Sequence, residues 1–192
     1  MSETALIEDC INNSAVAQRE LYNRFSGILF AICYRYAGNK SDAEDMLQEG
    51  FIKIFTKINS FENKGNFEGW MKKVIVHTCI NYIKKNKKFG EIIYLDNVYN
   101  LEIKEESIAS RLLGKQVMDC LRSLPLGYRT VINLYAIEGY SHKEIGDILE
   151  IGESTSRSQY IRGKIVLESV LINRKIIQPG LDRVERLAYL NN

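Results

Sequence analysis

Proline is almost absent from this chain of 192 residues, which contains only Pro125 and Pro179. Because a proline inside a helix kinks or breaks it, this scarcity leaves room for long helices. Apolar residues recur at helical spacing along most of the sequence. We therefore expect an all-α fold, with helices at about 3–11, 15–37, 42–58, 67–87, 107–123, 127–137, 142–149 and 154–172.

Cysteine is also scarce, and its spacing argues against disulfides and metal binding. Cys10, Cys33, Cys79 and Cys120 form no Cys-x-x-Cys pair, so we interpret them as reduced core thiols. His77 lies two positions from Cys79, which puts the two side chains on nearly opposite sides of a helix. Glycine-rich phosphate loops, a Ser-His-Asp order and paired inward carboxylates are all missing. We expect no enzymatic activity, no cofactor and no metal site.

Long apolar runs are missing too. The stretch ILFAICY ends at Arg35 and is far shorter than the roughly 20 residues that cross a bilayer. The sequence also shows no signal peptide. We therefore expect a cytoplasmic protein without membrane insertion.

Charge is distributed in blocks, although the net charge is only +2. Residues 42–49 and 91–106 are acidic, 72–88 contain lysines and no acidic residue, and 157–175 lean basic. Such blocks suggest separate contact surfaces, basic ones for phosphate and acidic ones for a basic protein or for solubility.

The stretch FGEIIYLDNVYNLEIKEE has no helical periodicity. A short strand at EIIYL would have no partner, so we interpret the stretch as extended. This predicts two small helical domains, residues 1–90 and 107–175, joined by a flexible linker at 91–106. A tail at 176–192 follows, in which LDRVERLAYL could form one more short helix.

The acidic segment KSDAEDMLQEGFIKIF has the composition of a helix start. Ser41 and Glu44 fit a capping box, and the helix dipole stabilises acidic side chains in a first turn. Glu49 lies two turns further on, beyond the reach of the dipole. One helical face collects the polar residues Asp42, Asp45, Gln48 and Glu49. Spacing alone leaves open whether this face is merely solvated or binds a partner.

Residues 139–171 have the spacing of a helix-turn-helix. Ser141 and Glu144 predict a capping box on the first helix, and Gly146 provides the small residue needed where two helices cross. Gly152 fits a left-handed position that ends this helix, and Ser154 could cap the second.

The second helix of this motif places basic and apolar residues on its outer face. These are Arg157, Ser158, Ile161, Arg162 and Ile165. Polar and basic side chains near an exposed helix start suit major-groove reading and phosphate contact. On the inner face, Ser156 occupies a position where an aliphatic residue would pack better. The alternative is a plain helical hairpin with basic decoration.

The stretch 63–88 predicts an amphipathic helix that begins at Phe67 and has an aromatic residue, Trp70, near its start. The buried side carries Met71, Ile75, Cys79, Tyr82 and Ile83, and the opposite side Trp70, Lys73, His77, Asn81, Lys84 and Lys88. Lysines beside an aromatic ring suit single-stranded nucleic acid, in which an unpaired base stacks on the ring. The alternative is a half-buried anchoring tryptophan and a solvated helix end.

Together, four stretches resemble the bacterial RNA polymerase sigma factors, specifically the extracytoplasmic-function (ECF) group of the sigma-70 family. They are DAEDMLQEGFIKIF, NFEGWMKKVIVHTCINYIKK, LRSLPLGYRTVINLYAIEGYSHKEIGDIL and STSRSQYIRGKIVL. The resemblance runs from about Leu21 to Leu171. It implies a protein that recruits core RNA polymerase and opens promoters, with sigma region 2 at 1–90 and region 4 at 107–175.

The resemblance also implies roles for particular residues. Docking on the clamp helices of the polymerase β′ subunit falls to Asp42, Asp45, Gln48 and Glu49. Recognition and melting of the −10 element fall to Phe61, Asn63, Lys64, Asn66, Trp70, Lys73, His77, Lys84 and Lys85. Reading of the −35 element falls to Ser154, Thr155, Arg157, Ser158 and Arg162. The β flap and an anti-sigma factor are further expected partners.

Two rival interpretations use only part of these features. A free-standing helix-turn-helix regulator would need residues 139–171 but neither the acidic face nor the Trp-Lys face. A helical adaptor would use the charged faces for protein contacts only.

Overall fold

The computed structural model describes residues 2–61, 65–86 and 113–178. The chain divides into two units between Asn86 and Lys87. Within the described ranges, helices and the turns between them account for the whole backbone, which confirms the all-α prediction. The predicted linker at 91–106 and the predicted helix after Pro179 lie outside these ranges.

The described part of the first unit contains four helices. They are α1 (Glu3–Ile11), α2 (Ala15–Tyr36), α3 (Lys40–Lys57) and α4 (Phe67–Asn86), with a 3-10 turn at Ile58–Ser60 directly after α3. Helices α2, α3 and α4 pack against one another in pairs, and α1 packs on α2. Their apolar stripes meet in a core that includes Leu21, Leu29, Ile54, Met71 and Ile75, all fully buried. This packing leaves the polar sides of α3 and α4 at the surface.

The start of α3 differs from the prediction. Asn39 is the N-cap, and its side-chain oxygen accepts a hydrogen bond of 2.8 Å from the backbone N–H of Asp42. Ser41 therefore lies inside the first turn, and the capping box expected from Ser41 and Glu44 is wrong. Asn39 has an extended backbone, which lets its short amide side chain accept from a free N–H group of the first turn. Ser41 already belongs to the helix and cannot take the N-cap position.

The second unit also contains four described helices. They are α5 (Leu113–Ser123), α6 (Leu126–Ile132), α7 (His142–Leu149) and α8 (Glu153–Asn173), with a π-helical turn at Asn133–Ile137 directly after α6. Helices α5, α6 and α7 all pack on α8. At the crossing with α6, a Cβ added to Gly163 would lie 2.9 Å from Cδ1 of Ile132. A glycine in mid-helix, unfavourable by propensity, thus permits this close approach.

The turn between α7 and α8 corrects two details of the predicted motif. Glu150, with φ of 59°, takes the left-handed position, whereas Gly152 is extended. Helix α8 begins at Glu153 with Gly152 as its N-cap, so Ser154 does not cap it. The small residue at Gly146 is required as expected, because an added Cβ would lie 2.9 Å from the carbonyl oxygen of Ile151. The first residue of α8 is close as well, with the backbone nitrogen of Glu153 3.5 Å from the added Cβ.

The four cysteines are all buried and none forms a disulfide. Cys10, Cys33 and Cys79 belong to the first unit, and Cys120 belongs to the second. The prediction of core thiols is confirmed.

Candidate functional site

The predicted acidic face lies on the surface of α3. Asp45 and Gln48 are exposed, and Asp42 and Glu49 are half-buried. One turn beyond Glu49 the same face continues with the exposed side chain of Ile52. The structure therefore brings the four predicted residues together on one side of one helix.

Two of these carboxylates share a partner from another helix. The hydroxyl group of Tyr82 on α4 lies 3.4 Å from Oδ1 of Asp42 and 3.3 Å from Oδ2 of Asp45. Burial, followed by the charges of these two carboxylates, raises the pKa of Tyr82. Sequence spacing placed Tyr82 on the apolar side of its helix. Its hydroxyl contact depends on how α3 and α4 pack, which spacing within one helix does not reveal.

Glu49 has a partner on its own helix. Its Oε1 accepts a hydrogen bond of 2.6 Å from Nζ of Lys53, one turn later. Such exposed pairs contribute little to stability. Both partners keep substantial exposure, so this carboxylate remains accessible to a second cation.

The basic face of α4 is present as predicted over the described residues, and Lys88 lies outside them. Lys73, His77, Asn81 and Lys85 are exposed, and Lys84 is half-buried. The opposite side, with Met71, Ile75, Cys79 and Ile83, is buried against α2 and α3.

An aromatic cluster supports the head of α4. The ring of Trp70 lies nearly parallel to that of Phe67, with centroids 5.7 Å apart and an interplanar angle of 13°. The ring centroid of Phe61 lies 5.7 Å from that of Trp70 and 5.0 Å from that of Phe67, and Phe61 is only 9% exposed. Phe61 thus packs behind the half-buried indole and offers little surface of its own.

The segment before α4 is described only in part. Asn63 and Lys64 lie outside the described residues. Asn66 is exposed, and its Oδ1 accepts a hydrogen bond of 3.3 Å from the N–H of Gly69, in the first turn of α4. A helix-capping contact thus fixes Asn66 beside the aromatic cluster.

The outer face of α8 carries the predicted basic and apolar residues. Arg157 and Arg162 are exposed, as are Ile161 and Ile165 at 59% and 60%. Arg157 donates a hydrogen bond of 2.5 Å to Oε1 of Glu153. Among the remaining predicted residues of this face, Ser154 is exposed and Thr155 and Ser158 are half-buried.

The inner face of α8 contains a polar contact that sequence reasoning missed. Ser156 is fully buried, and its Oγ lies 2.9 Å from Nδ1 of His142 on α7. The imidazole stacks on the ring of Tyr135, with centroids 4.1 Å apart and an interplanar angle of 9°. Burial, followed by the charge of Arg157, lowers the pKa of His142, and Glu153 acts in the opposite direction. The serine on the inner face was the feature of the sequence that could have indicated this contact.

The described residues contain neither a metal-binding cluster nor a membrane-spanning helix. In these ranges, no group of three or more His, Cys, Asp or Glu side chains is arranged to hold a metal ion. Likewise, none of the helices described is long and apolar enough to cross a membrane.

Known proteins resemble the chain in both units. Residues 21–89 match the model of sigma-70 region 2, and residues 114–166 match that of sigma-70 region 4. The ECF RNA polymerase sigma factor SigW of Bacillus subtilis is 31% identical over 154 residues, which cover 74% of this chain and 82% of the relative. The ECF RNA polymerase sigma-E factor of Haemophilus influenzae is 26% identical over 180 residues, with coverage of 88% and 95%.

A solved structure is similar as well. It contains the sigma factor RpoE in complex with the anti-sigma factor NepR from Bartonella quintana. Its match covers 80% of this chain and 95% of the solved chain, at 21% identity and a TM-score of 0.47.

Proposed function

The chain belongs to the ECF RNA polymerase sigma factors and directs promoter recognition and transcription initiation, and we propose here which of its surfaces carries each step. Members of this family are initiation factors rather than catalysts. We assign residues 1–90 to polymerase docking and the −10 element, 91–106 to the linker and 107–175 to the −35 element. The tail, 176–192, receives no role. The chain is expected to act in the cytoplasm, without enzymatic activity of its own.

The acidic face of α3 docks on a basic helical surface of core polymerase, the clamp helices of the β′ subunit. The observation that carries this assignment is the extent of the face, which runs from Asp42 to Glu49. The helix dipole favours anions only in the first turn, so it leaves Glu49 unexplained. Carboxylates along one side of a single helix provide the charge complementarity that orients a basic partner.

The exposed face of α4 contacts the −10 element as it melts. A half-buried indole backed by Phe61 and Phe67 offers a rigid stacking surface, with Lys73 and His77 on the same side of the helix. Stacking of an unpaired base on such a ring, combined with backbone contacts from ammonium groups, is typical of single-strand binding. We include Asn63, Lys64, Asn66, Lys84 and Lys85 in this surface.

The outer face of α8 reads the −35 element. Arg157 and Arg162 are exposed in the N-terminal half of the second helix of a helix-turn-helix, the part that usually provides base-contacting side chains. Ser154, Thr155 and Ser158 lie in the first turns, where phosphate contacts orient such a helix. A free-standing regulator would need only this face, whereas the family includes a docking unit as well.

Two further partners remain predictions from the family resemblance. The second unit is expected to contact the β flap of polymerase, and an anti-sigma factor is expected to restrain the free protein. No described residue identifies either surface.

Charge reversal tests the docking assignment. We expect Asp45→Lys combined with Glu49→Lys to abolish co-purification with core polymerase, because like charges across an interface cost several kcal/mol. The matched control is Glu8→Lys combined with Glu20→Lys, which reverses two exposed carboxylates outside α3 and should leave binding intact. Circular dichroism confirms that each variant is folded. Undiminished binding by the folded double variant would rule out the docking role.

A further inference from the structure

The two helices of the helix-turn-helix are held at their starts in different ways. Helix α7 has a complete capping box, in which Ser141 and Glu144 exchange hydrogen bonds with each other's backbone N–H groups. Helix α8 begins at Glu153, and its N-cap, Gly152, provides no side-chain hydrogen bond to the first turn. The first turns of α8 therefore depend on contacts from neighbouring elements for their orientation.

The hydrogen bond between His142 and Ser156 supplies such a contact. His142 is the first residue of α7 and directly follows the capping residue Ser141, so its backbone is well fixed. Its imidazole is further held by the stack on Tyr135. Ser156 lies in the first turns of α8 and directly precedes Arg157, which faces outward. A rigid side chain on one helix is thereby joined to the start of the next.

We propose that His142 is a positioning residue for promoter reading: through its hydrogen bond to Ser156 it holds α8 in the orientation that presents Arg157 to the −35 element. This inference rests on the proposed reading of the −35 element by α8. His142 is only 7% exposed, so it has little surface to offer to DNA. It acts through Ser156 and the helix that Ser156 belongs to.

The polarity of the pair explains why it can orient the helix. Two apolar side chains at these positions would attract each other in many relative arrangements, because the hydrophobic effect is non-directional. A hydrogen bond requires both distance and angle, and a buried polar atom that loses its partner carries a desolvation cost. The pair therefore favours one rotation of α8 about its own axis over slightly different rotations.

A double-mutant cycle in the full-length protein tests this proposal. The probe is a promoter duplex selected by wild-type holoenzyme from a library randomised at the −35 element, compared with the same duplex scrambled there. The readout is selectivity, the ratio of holoenzyme affinities for the two duplexes, measured below the unfolding temperature of every variant. Ser156→Ala and His142→Phe should each lower selectivity about fivefold to tenfold, as expected for loss of one hydrogen bond.

Two further variants separate positioning from simple stability. The double variant His142→Phe with Ser156→Ala should lose no more selectivity than either single variant, because both remove the same contact. His142→Asn places an amide where Nδ1 stood and should retain most of the selectivity. The double variant has no unpaired polar atom at this site, so it also provides a folded comparison should Ser156→Ala be unstable.

The results that would overturn the inference are distinct from those that would overturn the proposed function. The positioning role would be wrong if selectivity were unchanged in Ser156→Ala and His142→Phe, or if their losses multiplied in the double variant. The pair would then contribute only to core packing. Arg157→Ala, assayed alongside, tests the −35 role itself. Loss of selectivity in Arg157→Ala with none in the His142 and Ser156 variants overturns only the positioning role.

Discussion

The hydroxyl group of Tyr82 on α4 lies 3.3 Å from Oδ2 of Asp45 on α3. The contact joins the helix assigned to polymerase docking with the helix assigned to the −10 element. It also places an ionisable phenol beside two carboxylates, since Asp42 lies at a similar distance. The hydroxyl can remain there only while it keeps its proton.

Tyr82 should therefore make the first unit sensitive to alkali. Its pKa is raised in the folded protein, so the unfolded chain loses this proton first. The associated stability is complete below the ordinary tyrosine pKa of about 10 and is lost as the pH rises above it. We expect Tyr82→Phe to reduce the fall in unfolding temperature of the first unit between about pH 9 and pH 11. Tyr22→Phe, which removes a more exposed hydroxyl, provides the control; an equal effect of both variants would contradict the assignment.

Two glycines should respond in opposite ways to alanine. In Gly163→Ala the new Cβ would lie 2.9 Å from Ile132 and 3.0 Å from Tyr128. Overpacking of this kind costs about 1–3 kcal/mol, which exceeds the gain of about 1 kcal/mol in helix propensity. Gly27 lies within α2 with no heavy atom within 4 Å of an added Cβ, so Gly27→Ala should be stabilising. Chemical denaturation of both variants measures the difference in sign.

Arg157→Ala and Arg162→Ala should each weaken promoter use. A bidentate contact to a base contributes about 1–3 kcal/mol and its loss relaxes sequence preference at one position, whereas loss of a phosphate contact weakens binding to all sequences alike. We expect at least one of the two variants to show relaxed preference. Transcription from promoters with systematic −35 substitutions distinguishes the two cases, with Arg19→Ala in the first unit as the charge-matched control. Normal transcription by both variants from an optimal promoter would show that the assignment of α8 to the −35 element is wrong.

His142 should make the second unit sensitive to acid. Its pKa is lowered in the folded protein, so the unfolded chain takes up this proton first, and stability falls as the pH drops below the ordinary value of about 6.5. The groups that face the imidazole are Tyr135, Ser156 and Tyr160, with the charges of Arg157 and Glu153 beside them.

The chain has only one other histidine, which provides the control for this prediction. We expect His142→Asn to flatten the dependence of the unfolding temperature on pH between about 5 and 7. His77→Gln changes an exposed residue of the other unit and should leave the dependence in the second unit unchanged. If His142→Asn kept the full acid sensitivity, that sensitivity would have to come from carboxylates instead.

Sequence periodicity predicted the helices and their buried sides because both depend on spacing within one helix. The boundaries of α2 and α7 differ from the predicted ones by at most one residue. The acidic and basic faces were predicted for the same reason. The capping of α3 was not, because Asn39 and Ser41 are both good caps and only the backbone conformation selects one of them.

Contacts between helices were beyond this reasoning. Nothing in the spacing of α4 indicates that the hydroxyl of Tyr82 reaches α3, because that depends on the rotation of one helix against another. The contact between His142 and Ser156 was equally hidden, because the two residues lie on different helices joined by a turn. The unusual polarity of Ser156 was visible in the sequence, but its partner was not.

All four cysteines are buried, so the reactivity of their thiols can report when each unit opens. A thiol reagent reacts only with sulfur that solvent has reached, so its rate of reaction measures how often that part of the protein opens. Cys120 reports on the second unit alone, and Cys10, Cys33 and Cys79 report on the first. Mass spectrometry of the labelled peptides could therefore follow the opening of both units in one sample, without adding a probe to the protein.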